Sequence, residues 1–146
     1  ANYLCGQSFL IADGDVSNKG TRRDDYAKML NDRFFVLECK EIENLIPEEV
    51  VKELVKDAFK RENKVGELEK ISHAKYSKAD MGLGKYLDKL IGKSEFGSET
   101  GTLRDKVNFC EKAVELMDRK DFPWKFPEPL YQLCEKLYQF VVKQNS

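Results

Sequence analysis

The sequence predicts an α/β fold in which a short parallel sheet is followed by a mostly helical C-terminal extension. Two short apolar runs, at residues 9–12 and 34–37, are rich in strand-forming side chains. Between them, Tyr26, Met29 and Leu30 follow the spacing of one helix face. Strand, helix and strand in this order predict a βαβ unit, whose strands are parallel neighbours joined by a right-handed crossover.

The rest of the chain has the patterns of helices. Pro47 with Glu48 and Glu49 is typical of a helix start. Later apolar stripes predict helices that include residues 83–91, 107–117 and 130–141, the first interrupted by glycine. A Gly/Ser loop at residues 94–101 and an aromatic, proline-rich connection separate them. We therefore expect an α/β core over residues 1–60 and a helical extension over 61–146.

Composition excludes several classes of protein. The 25 Lys and Arg residues balance 26 Asp and Glu residues, so no global basic field indicates nucleic-acid binding. No apolar stretch approaches the roughly 20 residues needed to cross a bilayer, and no signal peptide is recognisable. The four cysteines contain no CxxC pair, which favours reduced thiols in a cytoplasmic protein. Because the chain opens on a core strand without Met, we expect a fragment of a larger protein.

Acidic side chains follow both predicted strands. Asp13 and Asp15 come directly after the first strand, and Glu38, Glu41 and Glu43 follow the second. Because parallel strands end at the same edge of a sheet, these carboxylates are expected to lie together. Clustered carboxylates repel unless a cation offsets them, and Mg²⁺ is the usual cation for such a ligand set. An ordinary exposed position remains the alternative for each glutamate, since Glu is rarely buried unless paired.

The two acidic motifs, together with the strands that precede them, resemble a known family. The sequence FLIADGD at residues 9–15, followed by FVLECKEIENLIPEE at residues 35–49, looks like the TOPRIM domain of OLD (overcoming lysogenization defect)-type ATP-binding proteins. The resemblance is strong from Ser8 to Leu54 and loose beyond. It implies a TOPRIM-like core, which in this family follows an ATPase of the ABC/SMC kind, often in bacterial defence against phage.

The resemblance implies a role for particular residues. Asp13 and Asp15 would be the Asp-x-Asp ligands of Mg²⁺ or Mn²⁺, and Glu41 and Glu43 would match the second acidic motif, with Glu43 the better ligand. A further Glu expected upstream of Asp13 is missing from this chain. The nuclease site is therefore expected to be completed by a segment outside the chain, or to be degenerate.

Nuclease relatives also use a downstream Lys near the scissile phosphate. Lys75, Lys78 and Lys106 are the candidates, and a solvated surface position is the alternative for each. Lys19, Arg22 and Arg23 follow the acidic pair and are further candidates for contacts with DNA phosphates. The single histidine, His73, is expected at the surface. No Walker A motif is present, so ATP is expected to bind only through another domain.

Two other functions compete with a nuclease. Asp13-Gly-Asp15 also resembles the opening motif of haloacid-dehalogenase-type phosphatases, in which Asp13 would be the nucleophile and Asp15 the acid/base. The second acidic motif of those enzymes is missing, which makes this the weaker reading. Alternatively, a degenerate site would leave an interaction module for a partner nuclease or effector, with the segment from Phe122 to Phe126 and the last helix as contact surfaces. An upstream ATPase domain, DNA and an oligomer formed through that ATPase are the other expected partners.

Overall fold

The parallel strand pair forms as the sequence predicts. The computed structural model describes residues 8–18 and 20–146. Strands β1 (Leu10–Ala12) and β2 (Phe34–Val36) are parallel, with Leu10 opposite Phe34. Helix α1 (Arg22–Leu30) joins them, between two 3-10 segments at Gly14–Asn18 and Asn31–Arg33. The order of strand, helix and strand and the parallel pairing of the strands are confirmed, although each strand is only three residues long.

The chain beyond β2 is helical, as expected. It contains a 3-10 segment at Ile42–Leu45, and then α2 (Glu48–Arg61), α3 (Val65–Leu68), α4 (His73–Tyr76), α5 (Leu83–Ile91), α6 (Lys106–Asp118) and α7 (Glu128–Gln144). The described residues therefore form a mixed α/β structure, mostly helical, with a two-stranded parallel sheet. Within these residues, no helix combines the length and apolar character needed to cross a membrane.

The largest hydrophobic core lies between α2 and the helices that follow it. Val51, Val55 and Phe59 of α2 pack with buried side chains of α3, α4 and α5, among them Tyr76 and Leu87. Burying these side chains removes apolar surface from water, which is the main favourable term for this half of the chain. The boundary expected near residue 60 remains a prediction, although one core includes residues from both sides of it.

The glycines at the start of α5 allow the predicted Gly/Ser loop to lie directly on this helix. A Cβ atom at Gly84 would be 2.5 Å from the carbonyl oxygen of Thr102. The Asp88 carboxylate of α5 accepts hydrogen bonds from the backbone N–H groups of three successive loop residues, Glu95, Phe96 and Gly97. The glycines therefore permit close packing here and do not interrupt α5.

The apolar stripe that predicts α6 is largely exposed, in contrast to an ordinary core face. Val107 is 69% exposed and Val114 is 65% exposed, whereas Ala113 and Leu116 are buried against Val50 of α2. A helical period identifies the helix, but it does not decide which side of a wide apolar face the neighbouring elements cover. One side of the α6 stripe consequently faces solvent.

Candidate functional site

The exits of β1 and β2 are held together by backbone hydrogen bonds. The N–H of Leu37 donates to the carbonyl of Ala12 at 2.9 Å, and the N–H of Gly14 donates to the carbonyl of Cys39 at 3.1 Å. A Cβ atom at Gly14 would lie 2.2 Å from the Cys39 oxygen, which no side chain could accommodate without movement of the backbone. The glycine between the two aspartates is thus required by the contact between the strand exits.

Asp13 joins the first acidic motif to the second. Its Oδ1 atom accepts a hydrogen bond from the backbone N–H of Ile42 at 3.2 Å, and the carboxylate is half-buried. Asp15 is also half-buried, in the 3-10 segment that follows β1. The expectation that the strand ends bring acidic groups together therefore holds for Asp13 and the 41–43 segment.

The glutamates of the second motif differ sharply in burial. Glu38 is exposed, whereas Glu41 is 8% exposed and Glu43 is 2% exposed. The alternative of an ordinary exposed position applies to Glu38 and is wrong for Glu41 and Glu43. Burying an ionised carboxylate is costly unless a partner compensates it, so the surroundings of Glu43 decide what this site can do.

Lys106 provides the compensating charge. Its Nζ atom lies 2.6 Å from Oε1 of Glu43, and its own side chain is half exposed. Contact with Glu43, supported by the negative charges of Glu41 and Asp13, raises the pKa of Lys106. Both carboxylate oxygens of Glu43 are buried, and neither has a partner with hydrogen-bond geometry among the described residues. The ion pair with Lys106 therefore compensates the charge at Oε1, whereas Oε2 has no ion pair among these residues.

The pKa of Glu41 is shifted by the same charges. Burial raises the pKa of Glu41, and the negative charges of Glu43 and Asp13 raise it further, while Lys106 and Lys40 oppose the shift. Asp13, Glu41, Glu43 and Lys106 therefore form one electrostatic unit, which we call the acidic cluster. Its proximity to the Cys39 thiol contributes, after burial, to raising the pKa of Cys39 to about 11.

Asn44 connects the acidic segment to the helical part of the protein. Its buried side-chain amide donates hydrogen bonds to the backbone carbonyls of Tyr76 and Met81. In return, the Tyr76 hydroxyl donates to the carbonyl of Ile46 at 2.6 Å. Both partners of Asn44 are more than 30 residues away along the chain. The motif Glu-Ile-Glu-Asn alone therefore does not predict this role.

The other basic candidates lie apart from the acidic cluster. Lys75 and Lys78 have exposed side chains, and no ion pair joins either of them to a cluster carboxylate within the described residues. Lys78 is close only through its backbone, whose carbonyl accepts a hydrogen bond from the N–H of Lys40 at 3.2 Å. Arg22 and Arg23 are exposed at the start of α1, and Lys19 lies outside the described residues.

His73 is not the simple surface residue that the sequence suggested. It is half-buried, its ring packs edge-on against Tyr76, and its backbone N–H donates to Oε2 of Glu48 at 2.8 Å. Burial lowers the pKa of its imidazole, which favours the neutral form. Cys39, Cys110 and Cys134 are free thiols, whereas Cys5 lies outside the described residues.

The donor set of the acidic cluster has the right chemistry for a hard divalent cation but is incomplete. Carboxylate oxygens suit Mg²⁺ and Mn²⁺, and the unsatisfied Oε2 of Glu43 is a free acceptor. However, one Asp13 oxygen accepts the Ile42 N–H, and no group of three or more His, Cys, Asp or Glu side chains within residues 8–18 and 20–146 is arranged to hold a metal ion. A bound ion would need a further ligand or a rearrangement of Lys106.

Comparison of the chain with family models, curated proteins and solved structures finds no match. The fold and the acidic cluster thus define the molecule as a mixed α/β protein with a carboxylate–lysine site at the carboxyl ends of two parallel strands.

Proposed function

We propose that the chain is a TOPRIM-like domain whose acidic cluster acts on DNA phosphodiesters with Mg²⁺ or Mn²⁺ once a further carboxylate is supplied. The observation that carries this proposal is the ion pair between Lys106 and the buried Glu43, beside Asp13 at the strand exits. Two carboxylates and one lysine are the residue types that the resemblance to OLD-type proteins implies for this position. Of the three lysine candidates, Lys106 is the one in contact with a cluster carboxylate.

The proposed roles follow from the charges of these side chains. Asp13, Asp15 and Glu43 would hold the ion through carboxylate oxygens, and the ion would supply the positive charge that polarises a phosphate. Lys106 would move from Glu43 toward the phosphate, where its ammonium would offset negative charge. The same proposal includes an upstream ATPase domain, a further carboxylate that completes the site, an oligomer formed through the ATPase, and a role in phage defence.

The first experiment measures metal binding and cleavage separately. Calorimetry with MgCl₂ and MnCl₂ reports binding, and supercoiled plasmid reports cleavage, both with the protein in its full-length form. Asp13→Asn and Glu43→Gln are expected to abolish metal-dependent cleavage, whereas the exposed Glu99→Gln is the matched control and should cleave normally. Hydrolysis of p-nitrophenyl phosphate without plasmid cleavage would instead favour the phosphatase alternative, with Asp13 as nucleophile.

A second candidate function is an interaction module with a degenerate site. It is favoured by the same ion pair, because Lys106 neutralises Glu43 without a metal, and by the incomplete ligand set within the described residues. Absence of both metal binding and cleavage in the full-length protein would support this function. Trp124 lies in the aromatic segment expected to contact partners. Its indole N–H donates a hydrogen bond to the carbonyl of Met117 in α6 at 3.0 Å, so this N–H group already has a partner within the chain.

A further inference from the structure

Lys106 supplies positive charge at the point where the acidic cluster needs a cation. Its Nζ atom lies 2.6 Å from Oε1 of Glu43, whose side chain is 1% exposed, and the negative charges of Glu41 and Asp13 act on the same ammonium. Neighbouring carboxylates repel one another unless a cation offsets them. The chain therefore provides, through its own lysine, charge that a divalent cation would otherwise bring to this site.

The position of Lys106 on its helix indicates that the cluster, and not α6, favours the charge there. Lys106 is the first residue of α6, the first turn contains no acidic side chain, and Asp105 before it makes no capping hydrogen bond through its side chain. The N-terminus of a helix carries partial positive charge, which disfavours a cation. Attraction to Glu43 offsets this cost, so the ammonium is held by the carboxylate.

Lys106 is able to leave Glu43 while the helix stays in place. Its side chain is 47% exposed, and its ammonium stands at the end of a long, flexible stem. The body of α6 is fixed by Ala113 and Leu116, which are buried against Val50 of α2. Rotation of the lysine side chain toward solvent would therefore be enough to separate the two charges.

Release of Lys106 would leave a buried carboxylate without its charge partner. Neither oxygen of Glu43 has a partner with hydrogen-bond geometry among the described residues, and Oε2 has no ion pair there. An ionised carboxylate in such surroundings needs another cation. The oxygens of a phosphate, in turn, are strong acceptors for an ammonium. A phosphate outside the cluster and a divalent cation inside it would therefore satisfy both partners of the broken pair.

We propose that Lys106 closes the acidic cluster to divalent cations, and that a phosphate group of DNA opens it by drawing the ammonium away from Glu43. Mg²⁺ or Mn²⁺ and DNA would then bind with positive coupling, because each favours the state in which Lys106 has left Glu43. This inference rests on the proposed function, since it takes DNA and a divalent cation as the ligands of the site. It adds an autoinhibitory contact that limits metal binding until DNA arrives.

The first measurement is the affinity for Mn²⁺ without DNA, taken from the electron paramagnetic resonance signal of the free ion. The full-length protein is compared with its Lys106→Met variant, and Glu43→Gln identifies the part of the binding that belongs to this site. We expect the Kd of Lys106→Met to be lower by about tenfold or more, because Glu43 has lost its internal partner.

Lys40→Met is the matched control for charge. The charge of Lys40 also acts on Glu41, but its ammonium donates a hydrogen bond to the carbonyl of Thr100 at 3.0 Å. Lys40→Met removes the same charge from the same neighbourhood without breaking the contact with Glu43. It should lower the Kd for Mn²⁺ by about threefold or less, since solvent screens charges that are not in contact.

The second measurement repeats the titration with a short single-stranded oligonucleotide, whose integrity a gel checks afterwards. Mn²⁺ bound by the oligonucleotide alone is subtracted. The wild-type Kd for Mn²⁺ should fall about tenfold when the oligonucleotide is present, and Lys40→Met should show the same gain. In Lys106→Met the gain should be about twofold or less, because no ammonium remains to be drawn away. An uncharged oligonucleotide with methylphosphonate linkages should change none of these affinities.

Unfolding provides a readout that does not require Lys106→Met to be fully folded. Mn²⁺ should raise the urea midpoint of Lys106→Met more than that of the wild type, because the ion replaces the lost positive charge. Lys106→Gln, which keeps a hydrogen-bond donor but no charge, should respond to Mn²⁺ in the same way as Lys106→Met. Circular dichroism follows the folded fraction of each variant.

Equal Mn²⁺ affinities in the wild type and Lys106→Met, an equal gain in Lys40→Met, or no Mn²⁺ binding in any of these proteins would overturn the inference. So would a wild-type affinity that the oligonucleotide leaves unchanged. Failure of the nuclease proposal is a different result. Coupling through Lys106 without plasmid cleavage would refute the nuclease and leave the autoinhibitory contact standing, whereas plasmid cleavage with equal affinities would do the reverse.

Discussion

The ammonium of Lys106 lies 2.6 Å from a Glu43 carboxylate that is 1% exposed, which makes this contact the main compensation for a charge buried beside the sheet. The two residues are far apart in the sequence and meet because α6 begins next to the segment after β2. Whether the site serves catalysis or only structure, the free energy of this pair controls the stability of the segment that carries Glu43.

Lys106→Met should therefore destabilise the protein more than an ordinary surface substitution. We expect the free energy of unfolding to fall by about 1–3 kcal/mol, because a buried carboxylate loses its partner. The loss is smaller than for a fully buried pair, because solvent screens the half-exposed Lys106. Urea unfolding provides the measurement. In the double variant Glu43→Gln/Lys106→Met, removal of the buried charge should restore at least half of the loss.

Lys112→Met is the matched control for this pair, since it removes an exposed lysine from the same helix. It should change the free energy of unfolding by about 0.5 kcal/mol or less. Equal stabilities of Lys106→Met and Lys112→Met would contradict the structural importance of the Lys106–Glu43 pair.

Asn44→Ala should disrupt the attachment of the acidic segment to the helical part. The substitution leaves the carbonyls of Tyr76 and Met81 without their donor in a buried environment, so a loss of about 2–4 kcal/mol is expected. Denaturant unfolding followed by circular dichroism measures it. Asn108→Ala, which removes an exposed amide bonded to Asp105, should cost about 0.5 kcal/mol or less. Similar losses in both variants would argue against the role assigned to Asn44.

Gly14→Ala tests the close contact between the strand exits. The new Cβ atom would collide with the backbone oxygen of Cys39, and we expect a loss of about 2–3 kcal/mol in the free energy of unfolding. Gly66→Ala is the control, because a Cβ there meets open space in α3 and should stabilise the protein by up to about 1 kcal/mol. A harmless Gly14→Ala substitution would show that the Asp-Gly-Asp turn does not need glycine.

The raised pKa of Glu41 predicts a specific dependence of stability on pH. The folded state binds this proton more tightly than the unfolded state, whose pKa is near the ordinary value of 4.5, so the contribution of Glu41 becomes less favourable as pH rises from that value through the raised pKa. Glu41→Gln mimics the protonated form and should remove this decline. Free energies of unfolding measured from pH 4.5 to 8 should show the variant gaining stability relative to the wild type with rising pH.

The control for the pH series is Glu99→Gln, which removes one exposed carboxyl from the Gly/Ser loop. It accounts for the general effect of net charge on stability. A wild-type curve that runs parallel to that of Glu41→Gln over the whole range would show that burial and the neighbouring carboxylates do not perturb Glu41.

Much of the secondary structure could be predicted from the sequence, because it depends on side chains that are close together along the chain. The strand-forming runs before Asp13 and Glu38, and the helix start at Pro47, depend on side chains close in sequence, and they appear as β1, β2 and α2. The exposed stripe at Val107 and Val114 was not predictable in the same way. Helical period is a property of one segment, whereas burial depends on which elements pack against it.

By itself, the sequence determined the order of β1, α1 and β2 and the position of both acidic motifs after the ends of parallel strands, because chain direction sets these positions. Only the tertiary structure decided that Glu43 is buried, that Lys106 rather than Lys75 or Lys78 contacts it, and that one side of the α6 stripe stays exposed. These outcomes depend on contacts between residues far apart in the chain, whose geometry follows from packing and from compensation of buried charge.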